Sequence, residues 1–385
     1  MPRLDQADRG KLGERLRLAR TYAGITQEQA AQALGVARTT MVTIERGERQ
    51  IRPEELEKLT EVYGVSVNSM LRETAVHVDL VGQYRRTMAS ASDQPSASEA
   101  LKLLHQLATS YVELEQRLSK VRERQYPRER RLVVESSLEA QAEDIASELR
   151  NYLGIGVAPI SDVISLVEVE IGIRIFIRGI PSSISAVYAC RKEIGAFILV
   201  NAKHPERRRT WSVAHDLGHF MTQREVLEAC QIVDGIKPPS ERFADFFAGA
   251  FLMPALAVRR HVSEVKEEKG KFTSRDLIFL ARRFYVSVEA MCRRIEQLGL
   301  FKAGAYGRLK RQGLSSEMER EVLGKEYEIV PARVPPRLSQ LAADAYASGL
   351  LSEGQVADFL GIDRLAAREL LDELQAEGPE EDDLL

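Results

Sequence analysis

The sequence predicts a multidomain protein that is mainly α-helical and contains one small β-sheet. Helix-forming stretches with recognisable caps cover most of the chain, and β-rich alternation is confined to about residues 171–201. Proline and small polar residues separate the helical stretches. We therefore divide the 385 residues into a five-helix domain (1–75), a helical linker (76–133), an α+β domain (134–300) and a helical region with an acidic tail (301–385).

The composition is that of a globular protein with an uneven distribution of charge. Apolar residues make up 44% of the chain and charged residues 29%, as in ordinary soluble domains. Residues 1–52 carry ten Lys and Arg against six Asp and Glu, whereas Glu377–Leu385 holds five acids and no base. A basic N-terminal region favours a nucleic acid as partner.

Cysteine usage and hydropathy predict a cytoplasmic protein. Cys190, Cys230 and Cys292 lie far apart in the chain, which argues against a disulfide framework or a cysteine-based zinc site. The longest uncharged apolar run, Phe246–Val258, contains Pro254 and is too short to span a membrane. The N-terminus has no apolar signal region, so we expect no membrane partner.

Capping residues predict five short helices in the first domain. Thr26 is the expected N-cap of the second helix and Gly35 its C-terminal break. The third helix is predicted over Ala37–Arg46, the fourth begins at Pro53, and the fifth begins near Val65.

The second and third helices carry a specific pattern, Gly24-Ile25-Thr26-Gln27, Leu34-Gly35-Val36 and Ile44-Glu45-Arg46-Gly47. Over residues 11–72 the chain resembles the phage-repressor-like (XRE) helix-turn-helix family. The resemblance implies that the domain binds a double-stranded DNA operator and that Gln27 contacts a phosphate. It also implies that base edges in the major groove are faced by Arg38, Thr39 and Thr43. The alternative interpretation is that this domain binds a protein and not DNA.

The same resemblance implies a structural ion pair between Arg20 and Glu45, and a homodimer on a two-fold operator. After a flexible spacer at 90–97, residues 99–125 have apolar side chains three and four apart and predict an amphipathic helix. This helix is a candidate dimer seam. Pro127 marks the boundary to the next domain.

The α+β domain is predicted to place a small sheet before a central helix. Two helices near 138–153 and 160–169 precede three strands, Ile171–Ile177, Ser185–Cys190 and Gly195–Asn201. Helices follow at 207–221, at 240–253 and within 273–298. We expect an extended protein target to add as a strand to the sheet edge near Gly195–Asn201.

Two histidines four residues apart are the most informative feature of this domain. His215 and His219 lie on a predicted helix, which puts both imidazoles on one face about one turn apart. This spacing suits two nitrogen ligands of Zn²⁺, and Asp216 between them is placed to activate the attacking water. Trp211 is predicted to pack beneath this helix. Four other histidines have no such spacing and are predicted at the surface: His77, His105, His204 and His261.

Three carboxylates follow as candidate third ligands: Glu225, Glu228 and Glu241. The first two come too soon after His219 to fold back without breaking the helix. The HxxxH motif continues with Glu241-x-x-Ala244, Phe247-Ala248 and Leu252-Met253-Pro254. Over about 138–300 the chain resembles the zincin-like ImmA/IrrE metallopeptidase family, which cleaves DNA-binding repressors. The resemblance implies Glu241 as the third metal ligand.

The resemblance is imperfect at the catalytic base, because Asp216 stands where zincins usually have Glu. Asp is one methylene shorter than Glu, and the resemblance still implies Asp216 as the general base. Imidazole and carboxylate ligands accept Zn²⁺ and also Mn²⁺. Asp245 lies on the same helix as Glu241 and either orients a ligand or is solvated; we favour a solvated side chain.

The last region is predicted as a linker with Pro331, Pro335 and Pro336, followed by a helical unit at 337–375. Ser352-x7-Leu360-Gly361 repeats the earlier Thr26-x7-Leu34-Gly35. The repeat indicates either shared helix–turn–helix capping or a second surface for a nucleic acid or a partner. We expect a regulatory or dimerising module.

These features predict a DNA-binding regulatory zinc endopeptidase that cleaves a transcriptional repressor or an antitoxin. Cleavage would derepress genes in a stress or DNA-damage response or on a mobile element, and a nucleic acid is a candidate activator. The alternative is a non-proteolytic XRE regulator whose peptidase-like domain senses a metal, a metabolite or a nucleic acid. A third interpretation is the antitoxin of a toxin–antitoxin pair.

Overall fold

The protein forms two compact units, Met1–Val121 and Arg122–Leu385. The computed structural model describes residues 6–63, 67–71, 95–121, 123–192, 194–225, 228–231, 237–324 and 334–376. Both units are mainly helical and the second contains one small sheet, which confirms the predicted fold class. None of the helices in the described ranges has the length and hydropathy of a membrane span. The division into four parts is finer than these two units and stays a prediction.

The first unit begins with the five predicted helices: α1 (Gln6–Ala23), α2 (Gln27–Leu34), α3 (Arg38–Glu45), α4 (Pro53–Tyr63) and α5 (Val67–Leu71). Thr26 caps α2 in a capping box with Gln29, whose Oε1 accepts from Thr26 N at 2.8 Å. Gly35 ends α2 in the left-handed conformation. The core of the domain is formed by buried side chains that include Leu16, Met41, Ile44 and Leu59. The predicted start of the fifth helix at Val65 lies outside the described residues.

The amphipathic helix of the linker is shorter than predicted. This helix, α6, spans Pro95–Arg117, so the last part of the predicted 90–97 spacer is helical, and residues 118–121 and 123–125 are not. Its apolar stripe is already buried within the single chain, at Leu101, Leu104, Leu107, Tyr111 and Leu114. A homodimer stays a prediction, and this stripe offers no exposed seam for it.

The sheet of the second unit has four strands in the order β1-β3-β2-β4. These are β1 (Arg174–Arg178), β2 (Ile184–Arg191), β3 (Gly195–Asn201) and β4 (Glu228–Gln231). β3 pairs in parallel with β1 and antiparallel with β2, and β2 pairs antiparallel with β4. Because β3 is paired on both sides, the prediction that a target adds beside Gly195–Asn201 is wrong. The end strands are β1 and β4, and β4 was too short and polar to predict.

Three helices form the region around the predicted metal ligands: α7 (Leu138–Tyr152), α9 (Glu206–Thr222) and α10 (Pro239–Leu252). α9 packs on β2 and β3, and α10 packs against both α7 and α9. Phe243, Phe247 and Phe251 of α10 are fully buried at helical spacing and join the main core. The predicted bounds of these helices are confirmed to within one residue at each end. The short helix α8 (Val163–Leu166) continues directly into a π-helix (Val167–Ile171).

Helices make up the described part of the chain after α10: α11 (Ala255–Lys269), α12 (Ser274–Arg283), α13 (Val288–Gln297), α14 (Ala305–Arg311), α15 (Ser316–Leu323), α16 (Pro336–Ala347), α17 (Glu353–Leu360) and α18 (Arg364–Ala376). The sequence did not predict α11, and the prediction of a linker before the helical unit at 337–375 is wrong for α14 and α15. Burial of Leu314 and Leu323 in the main core stabilises this stretch. Pro331 lies outside the described residues.

The C-terminal repeat has the same local geometry as the N-terminal one. Ser352 caps α17 in a capping box with Gln355, and Gly361 follows in the left-handed conformation. The charged side chains of α18 comprise two bases and three acids: Arg364, Arg368, Glu369, Asp372 and Glu373. A DNA-reading surface needs an excess of positive charge. The repeat is therefore better explained by shared capping than by a second DNA-binding surface.

Two polar contacts attach α16 and α17 to the strand side of the unit. Arg178 of β1 donates to the carbonyl oxygens of Phe359 and Leu360 at the end of α17. Glu168 of the π-helix is completely buried, and its Oε2 accepts from Arg337 N at 2.7 Å in the first turn of α16. Burial raises the pKa of Glu168 to about 7, although the hydrogen bond and charge of Arg337 act in the opposite direction.

We expect Glu168→Gln to remove a pH dependence of stability. Because the pKa of folded Glu168 lies above the ordinary value of 4.5, the free energy of unfolding falls as the pH rises from 4.5 to about 7. That interval corresponds to about 3 kcal/mol. Urea unfolding at pH 5 and pH 8, followed by fluorescence of Trp211, should show this decline in the wild type and in the exposed-site control Glu170→Gln. An equal decline in Glu168→Gln would contradict the prediction.

Candidate metal centre and nucleic-acid interface

Close packing of α9 and α10 brings the predicted ligands together. The helical period of α9 places His215 and His219 on one face, and Glu241 lies in the first turn of α10. Gly218 lies where the helices meet: a Cβ added to it would sit 3.1 Å from the Cα of Ala244 and 3.2 Å from the Phe247 ring. A larger residue at this position would push α10 away from the histidines.

The side-chain atoms of these three residues converge on one point. His215 Nε2 lies 3.2 Å from His219 Nε2. Glu241 Oε2 lies 3.3 Å from His215 Nε2, and Glu241 Oε1 lies 3.3 Å from His219 Nε2. Both histidines are buried and Glu241 is partly exposed. Within the described ranges, this is the one group of His, Cys, Asp and Glu side chains with metal-ligand spacing.

These distances fit a tetrahedral metal ion. Bonds of about 2.0–2.1 Å at tetrahedral angles separate neighbouring ligand atoms by about 3.3–3.4 Å. The two imidazole nitrogens, 3.2 Å apart, match that spacing, and each lies 3.3 Å from a different oxygen of the Glu241 carboxylate. Two imidazoles and one carboxylate are also the donor set of many catalytic zinc sites, in which a fourth position stays open. The residues present therefore fit a catalytic divalent metal.

The charge of Glu241 suits this role. Burial alone would raise the pKa of Glu241, but hydrogen bonds and charges from His215 and His219 outweigh it and hold the pKa below its ordinary value. The carboxylate is therefore ionised at neutral pH, as a metal ligand must be. Asp216 follows His215 on α9 and is 1% exposed, so its carboxylate is buried, and its role as the base stays a prediction.

Asp245 orients His215, so the favoured prediction of a solvated side chain is wrong. Asp245 Oδ1 lies 3.1 Å from His215 Nδ1, and its Oδ2 lies 2.6 Å from Lys237 Nζ. Burial raises the pKa of Asp245, but His215 and Lys237 outweigh it and lower the pKa. An ionised carboxylate only accepts hydrogen bonds, so His215 donates through Nδ1–H. When a metal ion binds, a neutral His215 in this tautomer would supply its Nε2 lone pair in place of the hydrogen bond from Nε2 to Glu241.

We expect Asp245→Asn to weaken metal binding by about 10–100-fold, the usual effect of losing a carboxylate behind a histidine ligand. The amide removes the negative charge that raises the basicity of His215 and holds its ring. Competition with a fluorescent zinc chelator would measure the affinity. Asp144→Asn, at an exposed aspartate of the same unit, is the matched control. Equal affinities in the two variants would assign Asp245 no part in orienting the ligand.

Of the other candidate residues whose side chains the structure describes, none lies in the cluster. Glu225 is exposed, and Glu228 begins β4. Trp211 is partly buried against the main core, as predicted. The surface prediction is wrong for His204, which is 8% exposed and whose Nε2 lies 3.2 Å from the carbonyl oxygen of Ser182. His105 and His261 are half-buried, and His77 lies outside the described residues.

In the first unit, α3 presents the predicted base-reading residues unequally. Arg38 and Thr39 in its first turn are exposed, whereas Thr43 is half-buried and donates to the carbonyl oxygen of Thr40 at 2.8 Å. The opposite face of α3 is buried through Met41 and Ile44. In helix-turn-helix proteins, the N-terminal turn of the recognition helix enters the major groove. In this motif the recognition helix corresponds to α3.

A buried polar network fixes α2 and α3 in this arrangement. Glu45, 6% exposed, pairs with Arg20 of α1 through Nε at 2.5 Å, which matches the predicted ion pair. Gln27 Nε2 also donates to Glu45, at 2.8 Å. Contact of Gln27 with a phosphate stays a prediction, and the same –NH2 group carries a second N–H that could make it.

Comparison with known proteins matches the two parts of the chain to two families. Residues 11–73 match the helix-turn-helix domain model, and residues 169–296 match the model of the IrrE N-terminal-like domain. A DNA-binding helix-turn-helix is fused to an ImmA/IrrE-type peptidase domain. Both resemblances inferred from sequence motifs are confirmed. The match to the IrrE-like domain includes the histidine cluster and Asp216, and the helix-turn-helix match includes all of α2 and α3.

The chain is also similar to the cryptic phage CTXphi transcriptional repressor RstR of Vibrio cholerae. The identity is 25% over 93 residues, which is 24% of this chain and 84% of the repressor. This relative is thus similar to a limited part of the chain.

Proposed function

We propose that the protein is a DNA-bound, metal-dependent endopeptidase that cuts a transcriptional repressor or an antitoxin and so releases the genes that it controls. The observation that carries the proposal is the convergence of His215, His219 and Glu241 in an IrrE-like domain. Asp216 follows His215 in the sequence. The helix-turn-helix would locate this activity at an operator. Zn²⁺ is the first candidate metal and Mn²⁺ the second.

His215, His219 and Glu241 would hold the metal, with Asp245 orienting His215. A bound Zn²⁺ polarises the scissile carbonyl and lowers the pKa of water. Asp216 takes a proton from the attacking water as the new C–O bond forms. It then gives the proton to the leaving nitrogen as the C–N bond breaks. The second proton of the water also passes to the amine, so the products are a carboxylate and a protonated amine and no further reactant is needed.

The shorter side chain of Asp216 limits the rate of this step. Its carboxylate lies about 1.3 Å further back than a glutamate would place it, and misplacement on that scale costs about 10²-fold. A slow peptidase suits a switch that cuts one partner once. A degradative enzyme would need a faster base.

An extended substrate would bind at an end strand of the sheet. β3 is internal, and α16 packs on β1, which leaves β4 as the strand for pairing with a target segment. β4 lies in the chain between α9 and α10, the two helices that carry the metal cluster. Strand addition there would supply main-chain hydrogen bonds that depend little on the target sequence.

A second candidate is a transcription regulator whose IrrE-like domain senses a ligand and cuts nothing. The substitution of Asp216 for the usual glutamate favours it. In this case the metal cluster would hold a structural or sensed ion, and Asp216 would have no part in the response.

An operator-linked reporter distinguishes the two candidates. Cells would express the wild type, Asp216→Asn or Arg38→Gln, and operator occupancy would be measured by chromatin immunoprecipitation. The peptidase proposal expects Asp216→Asn to keep occupancy but lose derepression, and Arg38→Gln to lose occupancy because a base or phosphate contact is missing. Derepression by Asp216→Asn at the wild-type level would favour the sensor.

A further inference from the structure

A short segment without helix or strand, Leu118–Val121, ends the first unit. Helix α6 stops before it, and Ser119 adopts the left-handed conformation with φ 53°. Lys120 N then donates to the carbonyl oxygen of Glu115 at 2.8 Å, which closes the last turn. The boundary between the two compact units follows Val121. We call Leu118–Val121 the joining segment.

The joining segment is accessible to a partner. Ser119, Lys120 and Val121 are exposed, and Val121 leaves an apolar residue 54% exposed to water. Within the described ranges, Val121 and Glu123 make no hydrogen bond. Main-chain groups without partners are what an extended segment needs in order to pair with the edge of a sheet. The joining segment can therefore bind as an added strand without breaking existing structure at Val121.

The chain is fixed again shortly after this segment. The ring of Tyr126 lies 5.0 Å from that of Phe220, edge to face, and Arg130 N donates to the carbonyl oxygen of Met221 at 2.7 Å. Phe220 and Met221 directly follow His219 on α9. The free stretch is thus short, and the chain after it is bound to the helix that carries both histidines.

The helix-turn-helix itself is a poorer target for a peptidase. Val36 N donates to the carbonyl oxygen of Ala31 at 2.9 Å after α2, and Glu48 N donates to that of Thr43 at 2.9 Å after α3. A peptide bond inside a helix or such a closed turn pairs with a strand only after local unfolding. A cut in the joining segment avoids this free-energy cost.

We propose that the joining segment is a substrate of the chain's own peptidase domain, in the same or in a second copy. The inference rests on the proposed function, in which the domain cuts a protein that binds DNA, and this chain carries a helix-turn-helix of its own. One C–N bond within Leu118–Val121 breaks and a C–O bond to water forms. The oxygen of the water enters the new carboxylate and both of its protons pass to the amine, so the hydrolysis is balanced.

This cut would separate the DNA-binding unit from the metal-binding unit. An operator-bound peptidase has a high effective concentration near other proteins on the same DNA. Self-cleavage ends that advantage and leaves both the helix-turn-helix and the histidine cluster intact. The chain thereby limits the duration of its own activity at an operator.

The experiment follows the full-length chain with Zn²⁺, purified and in cells with and without DNA damage. Mass spectrometry of new N-termini should show a start at Ser119, Lys120 or Val121 in the wild type. Asp216→Asn and a chelator should each prevent it. New N-termini in other proteins without one in the joining segment would overturn this inference alone. A profile with neither would overturn the proposed function as well.

Two proline variants locate the cut. Val121→Pro removes a main-chain N–H from the joining segment and should slow fragment formation about tenfold or more, the effect of one lost hydrogen bond to the edge strand. Val134→Pro is the matched control: Val134 is also 54% exposed and follows Val133 in a turn closed by Ser136 N at 3.2 Å, where proline is favoured. Equal rates in the two variants, or a cut outside Leu118–Val121, would overturn the inference.

Discussion

Replacing Asp216 by asparagine is expected to lower kcat/KM for the protein substrate by about 10²–10⁴-fold, the usual contribution of general acid–base catalysis. Asparagine has nearly the same size and keeps an oxygen, but it cannot take a proton from water at neutral pH. Because Asp216 is 1% exposed, the isosteric change is preferable to alanine, which would leave a buried gap. Metal content and operator binding should stay at the wild-type level.

Two further variants sharpen this prediction. Asp144→Asn changes an exposed aspartate of the same unit and should have wild-type activity. Asp216→Glu restores the longer side chain of zincins and should keep or raise activity, because the carboxylate gains reach toward the scissile bond. Undiminished cleavage by Asp216→Asn would remove Asp216 from the mechanism.

Replacing Glu241 by glutamine is expected to abolish stable metal binding. The amide removes the negative charge and leaves a weaker oxygen donor opposite two imidazoles whose Nε2 atoms lie 3.2 Å apart. The loss of metal affinity should exceed the roughly 10–100-fold loss caused by removing a residue that hydrogen-bonds to a metal ligand. Purified wild type should contain one metal ion per chain by mass spectrometry, and the variant close to none.

Thermal unfolding gives an independent measurement of metal binding by Glu241→Gln. A ligand that binds only the folded state raises the unfolding temperature, so added Zn²⁺ should stabilise the wild type and the exposed-site control Glu139→Gln. Glu241→Gln should show no such increase. Metal content and stabilisation equal to those of the control would assign the third ligand to another residue.

Local chemistry made much of this fold predictable. Thr26 and Ser352 cap the helices that follow them, and the bounds of α7, α9 and α10 agree with those predicted from the sequence pattern. The positions of the two histidines on one helix face were equally predictable, because they depend only on the period of one helix. Glu241 needed the family resemblance, since its approach to the histidines depends on how α10 packs.

Features that depend on tertiary contact were not predictable. Asp245 is one carboxylate among many in the sequence, and only the packing of α9 on α10 shows that it bonds His215. β4 forms because β2 offers it a partner, and α14 and α15 lie where the core accepts their apolar side chains.

The central claim is that this chain cuts a DNA-binding protein with Asp216 as its base. Mass-spectrometric mapping of new protein N-termini tests it most directly, in cells expressing the wild type or Asp216→Asn, with and without DNA damage. We expect a new N-terminus within a repressor or antitoxin in wild-type cells that is absent in Asp216→Asn cells. Identical profiles under both conditions, with operator binding intact, would contradict the claim.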